Sequence, residues 1–170
     1  MMPQRESDSF ALISFETRYA EIVLTWVVDQ DEAAAWAGLN ELPVDTSVFA
    51  RWHADPEVHG SILMHDGVPV AYGEIWENFD CDAVELSRLI VAPSRRGQGV
   101  ARILIERLCT ETVALAAKTA YLRARPGNTR ATCCYERAGF CRVSPEQERD
   151  YNTGQPVAYV WMSRTIAPAR

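Results

Sequence analysis

Apolar and polar positions change their period several times along the chain, and the changes divide it into elements. Ser9 to Glu16 partly alternates, the mark of a half-buried strand. From Tyr19 to Gln30 the apolar positions Ile22, Val23, Trp26 and Val27 form an i, i+1, i+4, i+5 stripe, which predicts an amphipathic helix. Asp31 opens an Ala-rich helix through Trp36 that Gly38 can end, and Thr46 to Asp55 reads as a further short helix. A hairpin follows, with strands Gly60 to Met64 and Val68 to Trp76 around an Asp66-Gly67 turn. Asn78 to Asp82 reads as a turn, and Ala83 to Ala92 as a long strand closed by Pro93. Val100 to Lys118 carries the stripe Val100, Ile103, Leu104, Leu108 and Leu115 and predicts a helix. A strand at Thr119 to Ala124, a helix at Asn128 to Ala138, and strands at Gly139 to Val143 and Val157 to Met162 complete the chain. Helices and strands mix with no repeat, low-complexity tract or linker, which is the pattern of a single α/β domain over residues 1–170. The ends, 1–8 and 166–170, read as flexible tails.

Composition narrows the class. A chain of 170 residues that is 48% hydrophobic and 24% charged has enough apolar surface for one core, which excludes a disordered chain or a fibre. The best apolar run, Ile22 to Val28, is broken by Thr25 and ended by Asp29, well short of the ~20 residues needed to span a bilayer. Met1 to Ser9 is polar and lacks the apolar segment of a secretory signal. Five cysteines without a C-x-x-C spacing suggest neither a disulfide framework nor a zinc site, and His53, His59 and His65 have no metal-ligand pairing. The expectation is a reduced, cytoplasmic protein with no metal and no membrane partner.

The net charge of −6 conceals two unlike segments. Residues 1–94 hold 4 Lys and Arg against 17 Asp and Glu, whereas residues 95–142 hold 10 against 3. Such blocks are often no more than solvated faces, but they also suit a molecule with one anionic and one cationic ligand. Nucleic acid is a poor candidate for the anion. The basic segment is short, lacks interleaved aromatics and is joined to an acidic remainder that repels phosphate backbones.

A small anionic cofactor fits better, because of the stretch Leu89-Ile90-Val91-Ala92-Pro93-Ser94-Arg95-Arg96-Gly97-Gln98-Gly99-Val100-Ala101-Arg102. Here an apolar strand runs into a basic, Gly-rich turn and directly into a helix. Gly97 and Gly99 allow the backbone to approach a ligand, and the helix start offers unpaired N–H groups with partial positive charge. With Arg95, Arg96 and Arg102 this makes a phosphate cradle. No Lys-Ser or Lys-Thr follows, so it is not a Walker loop, and the third Gly of the dinucleotide fingerprint is missing. A plain strand-to-helix turn would need no ligand at all.

The segment Arg96-Gly97-Gln98-Gly99-Val100-Ala101 resembles the R/Q-x-x-G-x-G/A signature of the GNAT superfamily of acetyl-CoA-dependent N-acetyltransferases. Independently, Asn128 to Phe140 is similar to that superfamily's N-x-x-A-x-x-x-Y-E-x-x-G-F block. The resemblance covers roughly residues 83–143. It implies a mixed α+β fold with a central, mostly antiparallel, twisted sheet, helices on both faces, and a parallel strand pair that opens to hold the cofactor. It further implies that Leu89, Ile90 and Val91 offer backbone hydrogen bonds to acetyl-CoA, that Arg95 to Arg102 (with Gln98, Val100 and Ala101) cradle its pyrophosphate, and that Asn128 bonds its arm. Asn128 also suffices as a helix N-cap alone.

Tyr135 is the group the resemblance places toward the departing thiolate. A phenol at about 10 and a thiol at about 8.5 make full proton transfer uphill by ~2 kcal/mol, so Tyr135 is expected to act chiefly as a hydrogen-bond donor. The amine must arrive neutral. A group of pKa ~10.4 gives up ~3.4 units at pH 7, ~4.6 kcal/mol, so a base or water relay is expected. Glu85, eleven residues before Arg96, has the spacing that resembles the glutamate base of the histone acetyltransferase branch, and Glu74 on the neighbouring strand is the second candidate. Where another branch has its glutamate, this chain has Arg123. Cys133 and Cys134 read as packing residues, with no nearby His to activate them. Glu74 to Glu85 and Ala20 to Ala50 contain acids but no base, which suits a cationic small amine as acceptor. A peptide N-terminus or lysine, and a silent acyl-CoA sensor, are the alternatives, and the sequence leaves monomer or homodimer open.

Overall fold

The computed structural model describes residues 9–80 and 82–166, with the side chains of 78–80 left out. Among these residues seven strands form one sheet in the order β1-β2-β3-β4-β5-β7-β6. The strands are β1 (Phe10–Ser14), β2 (Val58–His65), β3 (Val68–Asp80), β4 (Ala83–Val91), β5 (Thr119–Ala124), β6 (Cys141–Arg142) and β7 (Val160–Thr165). The helices are α1 (Ala20–Leu24), α2 (Gln30–Ala37), α3 (Ser47–Trp52), α4 (Val100–Ala114), α5 (Thr129–Arg137) and α6 (Pro145–Tyr151). Neighbours pair antiparallel except β4 and β5, which are parallel. This is the mixed α/β architecture anticipated from the sequence.

Alternation along β3 explains how both faces are covered. Ala71 and Ile75 join Leu63, Leu86 and the α4 residues Leu104, Ile105 and Leu108 in one core. Tyr72, on the opposite face, joins Ile62 and Ile90 under Val23, Trp26, Trp36, Val48 and Phe49 of the α1–α3 segment. Gly73 lies where α4 comes nearest to the sheet. A Cβ there would meet Leu89 Cδ2 at 2.7 Å and Leu108 Cδ1 at 2.9 Å. Gly73→Ala is therefore expected to destabilise by about 1–3 kcal/mol through overpacking, a fall in Tm of roughly 3–10 °C for a chain of this size. An unchanged thermal melt would show that Leu89 and Leu108 can move aside.

Several boundaries differ from the sequence expectation, each for a local reason. The helix expected from Tyr19 to Gln30 is confined to Ala20–Leu24, preceded by a 3-10 turn. Thr25 bonds its hydroxyl back to Ile22 O at 2.6 Å, and Asp29 turns extended to cap α2 by accepting from Glu32 N at 2.8 Å. β3 runs on to Asp80, so the expected turn at Asn78 to Asp82 shrinks; Cys81 lies outside the described residues. α4 stops at Ala114, where Ala116 adopts φ 56°. The last strand begins at Val160 instead of Val157, because Asn152 brackets Tyr159 by accepting from its N and donating to its O, both at 2.9 Å. α6 was not expected, although Ser144-Pro145-Glu146-Gln147 is a capping box with Pro at the first turn. Residues 1–8 and 167–170 of the expected tails lie outside the described residues, whereas Ile166 is buried and donates its N–H to Lys118 O at 2.8 Å.

Candidate active site

The sheet forks at its centre. β4 pairs with β5 only at Ala83–Thr119, Val84–Ala120 and Glu85–Tyr121. Beyond that point β4 continues beside β3 as far as Val91, while β5 continues beside β7 as far as Ala124. One backbone edge of Leu86 to Val91 is thus left without a strand partner among the described residues, and unpaired N–H and C=O groups need one. A cleft of about 1330 Å³ occupies the fork. That is larger than an ordinary small-molecule pocket and suits a long ligand.

At one end of the cleft stands the cradle. Gly97 and Gly99 sit at φ 75° and 81°, a region other residues enter only with strain. Gly99 leads directly into Val100 and the first turn of α4, whose amides have no intrahelical partner. Arg95, Arg96, Gly97, Gly99, Val100, Ala101 and Arg102 all line the cleft, as do Leu89, Ile90 and Val91; Gln98 does not, and donates to Ser94 O at 3.0 Å. Arg96 lines the cleft and also has partners within the protein. It donates to Val91 O at 3.0 Å and Trp26 O at 2.8 Å and pairs with Glu32 at 2.8 Å, so it ties the loop to the α1–α2 segment. Arg125, unmentioned by the motif reading, also lines the cleft, and its buried Nε has no hydrogen-bond partner in the protein. It follows β5 directly, and an arginine there carries no signal of its own in the sequence.

The α5 helix supplies Asn128 and Tyr135, both on the cleft. Asn128 Oδ1 caps the helix, accepting from Ala131 N at 3.1 Å. Burial, then the charges of Cys134 and Glu85, push the Tyr135 phenol well above its ordinary value. It stays protonated at any working pH, so it can donate a hydrogen bond but yields its proton reluctantly. Cys134 is half-buried, with its thiol pushed up by burial, in keeping with a packing role.

The two glutamates part company. Glu85, 4% exposed, faces the cleft at the point where β4 and β5 separate. Its Oε1 lies 2.9 Å from Arg123 Nε, yet the geometry gives it no hydrogen bond, so it is a buried acceptor without a donor. Burial raises its carboxyl to about 7, against the opposing charges of Arg123 and Arg88. Glu74 is fully buried and does not line the cleft. It accepts from Tyr72 OH, from Trp76 Nε1 at 2.6 Å and from Arg88 Nη1 at 2.7 Å, with His53 Nε2 at 3.6 Å. Burial opposes its charge, but His53, Arg88, Tyr72 and Trp76 together outweigh burial and hold the carboxyl below its ordinary value. A carboxylate so fully engaged has no lone pair directed at a substrate.

Arg88 has φ 46°, a left-handed residue within a strand, at the register shift between β3 and β4. Its carbonyl accepts from Trp36 Nε1 at 2.7 Å, so α2 fixes this bulge. Of the acidic runs, Asp29, Asp31 and Glu32 line the cleft, and several other acids are engaged within the protein. Glu74 is enclosed, Glu32 pairs with Arg96, Glu77 with His59 and Asp82 with Lys118. No cluster of three or more His, Cys, Asp or Glu able to hold a metal is found among the described residues, nor a helix long and apolar enough to cross a membrane.

A forked sheet with a glycine turn at one end and a buried carboxyl near the branch makes a cleft suited to a long anionic ligand. The pattern of the acetyltransferase (GNAT) family matches residues 21–140, and the chain belongs to that family. Its members draw the acetyl group from acetyl-CoA. An uncharacterized N-acetyltransferase of Mycobacterium tuberculosis is 30% identical over 110 residues, 61% of this chain and 70% of that one, and the same holds for one of Mycobacterium bovis. Among solved structures, the aminoglycoside acetyltransferase AAC(6')-Ib in complex with paromomycin and acetyl-CoA superposes with a TM-score of 0.71 at 21% identity, over 93% of this chain and 94% of that one. Spermidine N-acetyltransferase of Vibrio cholerae, with CoA and spermine, gives 0.71 at 17% identity, over 94% and 96%. At these identities the likeness establishes the shared fold.

Proposed function

We propose that this chain acts as a single-domain enzyme transferring the acetyl group of acetyl-CoA to a primary amine on a small molecule, with Glu85 as the base. The observation that carries the reading is the Glu85 carboxylate: buried, lining the cleft at the fork, and beside Arg123, whose Nε lies 2.9 Å from Oε1 without an aligned hydrogen bond. A carboxyl near 7 is half ionised at neutral pH, which suits a group that takes a proton and returns it.

The residues present fit the donor. The unpaired edge of Leu86 to Val91 offers main-chain groups to an amide-bearing arm, and the Gly97–Gly99 turn with the α4 amides offers donors to a diphosphate. Arg95, Arg102 and the orphaned Nε of Arg125 add positive charge along the same cleft. Acetyl-CoA supplies an acyl carbon already activated as a thioester. The Glu85 carboxylate accepts the proton that the amine nitrogen sheds as it attacks, and the Tyr135 hydroxyl donates a hydrogen bond to the sulfur as it leaves. Direct attack is favoured over an acyl-enzyme, since Cys134 is a thiol of raised pKa with no His among its interactions.

Free-thiol release from acetyl-CoA across a panel of amines tests this. Amine-dependent thiol is expected, and Tyr135→Phe should lower kcat about 10–100-fold while leaving the acetyl-CoA Kd within a few-fold. Tight acetyl-CoA binding with no amine-dependent thiol would identify an acyl-CoA sensor instead.

A further inference from the structure

Two guanidinium groups stand at the end of the cleft away from the cradle. Arg88 Cζ lies 3.9 Å from the Trp52 ring centroid and 4.8 Å from that of Trp76, so the group is held between two indoles. Arg123 Cζ lies 4.9 Å from the Tyr159 ring and 5.4 Å from that of Trp161; its Nη1 donates to Gln155 at 3.1 Å and its Nε lies 2.9 Å from Glu85 Oε1, which leaves Nη2 for a ligand. Both line the cleft, on either side of Glu85, together with Trp76 and Tyr159. Glu74 engages one Arg88 nitrogen, Nη1, and so uses only part of a five-donor fork.

A guanidinium held against aromatic rings suits a planar carboxylate, because its fork is pre-organised and little entropy is lost in orienting it. The charge balance of the site points the same way. Glu74 is engaged within the protein, and Glu85 loses its charge on receiving the amine's proton, so once the proton has moved two positive groups face one enclosed negative one. A second cationic centre on the acceptor would be repelled here, whereas an anionic centre would be held.

We propose that the acceptor amine also carries a carboxylate, which Arg88 and Arg123 hold while the amine faces Glu85; the assignment rests on the transferase reading given above. The probes are amino acids with one, two or three carbons between amine and carboxylate, each compared with its carboxamide, and spermidine as the cationic control. For at least one spacing the acid is expected to exceed its amide in kcat/KM by about 10–100-fold, the range of a charge-assisted contact. Arg123→Gln should shrink that ratio toward one, mainly through KM for the acid. Arg88→Met should do the same, and Arg123→Gln remains decisive if loss of the Glu74 partner prevents that variant from folding. Equal turnover of acids and amides, or a preference for spermidine, would overturn the proposal while leaving the transferase reading intact. Bound acetyl-CoA with no thiol from any amine would remove both.

Discussion

Glu85→Gln should lower kcat/KM by about 10²–10⁴, the span that a positioned general base contributes, with little change in Tm. The substitution is nearly isosteric, and burial raises the carboxyl it replaces even with Arg123 at 2.9 Å, so folding gains little from its charge. The pH profile is the sharper readout. Burial raises the Glu85 carboxyl to about 7, and only the ionised form can accept a proton. Wild-type kcat/KM is therefore expected to rise tenfold per unit below about 7 and to level off above it, until another group intervenes. The glutamine variant should lack this limb altogether. A wild-type profile flat between pH 5 and 8, or a variant retaining the limb, would mean that water or another group takes the proton.

Glu74→Gln should act on stability instead. Removing one member of a buried, hydrogen-bonded pair leaves the other uncompensated, which costs about 3–5 kcal/mol. For a chain of this size that is a fall in Tm of roughly 10 °C or more in a thermal melt. The sign with pH follows from the depressed carboxyl. Its contribution is present above the ordinary value of 4.5 and is lost as pH falls through the lower folded-state value. Wild type and variant should thus converge in acid, whereas a constant Tm difference across pH would place the loss in packing. Turnover should drop as well, through KM, because Arg88 and Trp76 both lean on this carboxylate.

Much of the donor side of the site was legible because it is local in sequence. The run from Val91 to Arg102 encodes a strand end, two glycines and a helix start, and short-range chemistry builds a cradle from them without help from distant residues. Asn128 and Tyr135 come from the resemblance of the Asn128 to Phe140 block, and both line the cleft. The acceptor side was not legible, because what decides it is pairing between residues far apart. Glu74 reads as an acid available to substrate until Tyr72, Trp76, Arg88 and His53 converge on it, contacts that span three elements of the fold. Arg88 is one of four basic residues among the first 94, and its left-handed backbone at a register shift has no residue-type signal. The shortened α1 and the overlooked α6 differ in kind. Their caps, Asp29 and Ser144, were visible, but apolar periodicity outweighed them in one case and was missing in the other.

The branching of the sheet has a mechanical corollary. Past Glu85 and Tyr121 the β1–β4 ribbon and the β5–β7–β6 ribbon share no main-chain rung, and three residue pairs act as the hinge between them. A long molecule lodged between the prongs becomes the absent rung for both, so its occupancy and the cooperativity with which the two ribbons melt are bound to one another.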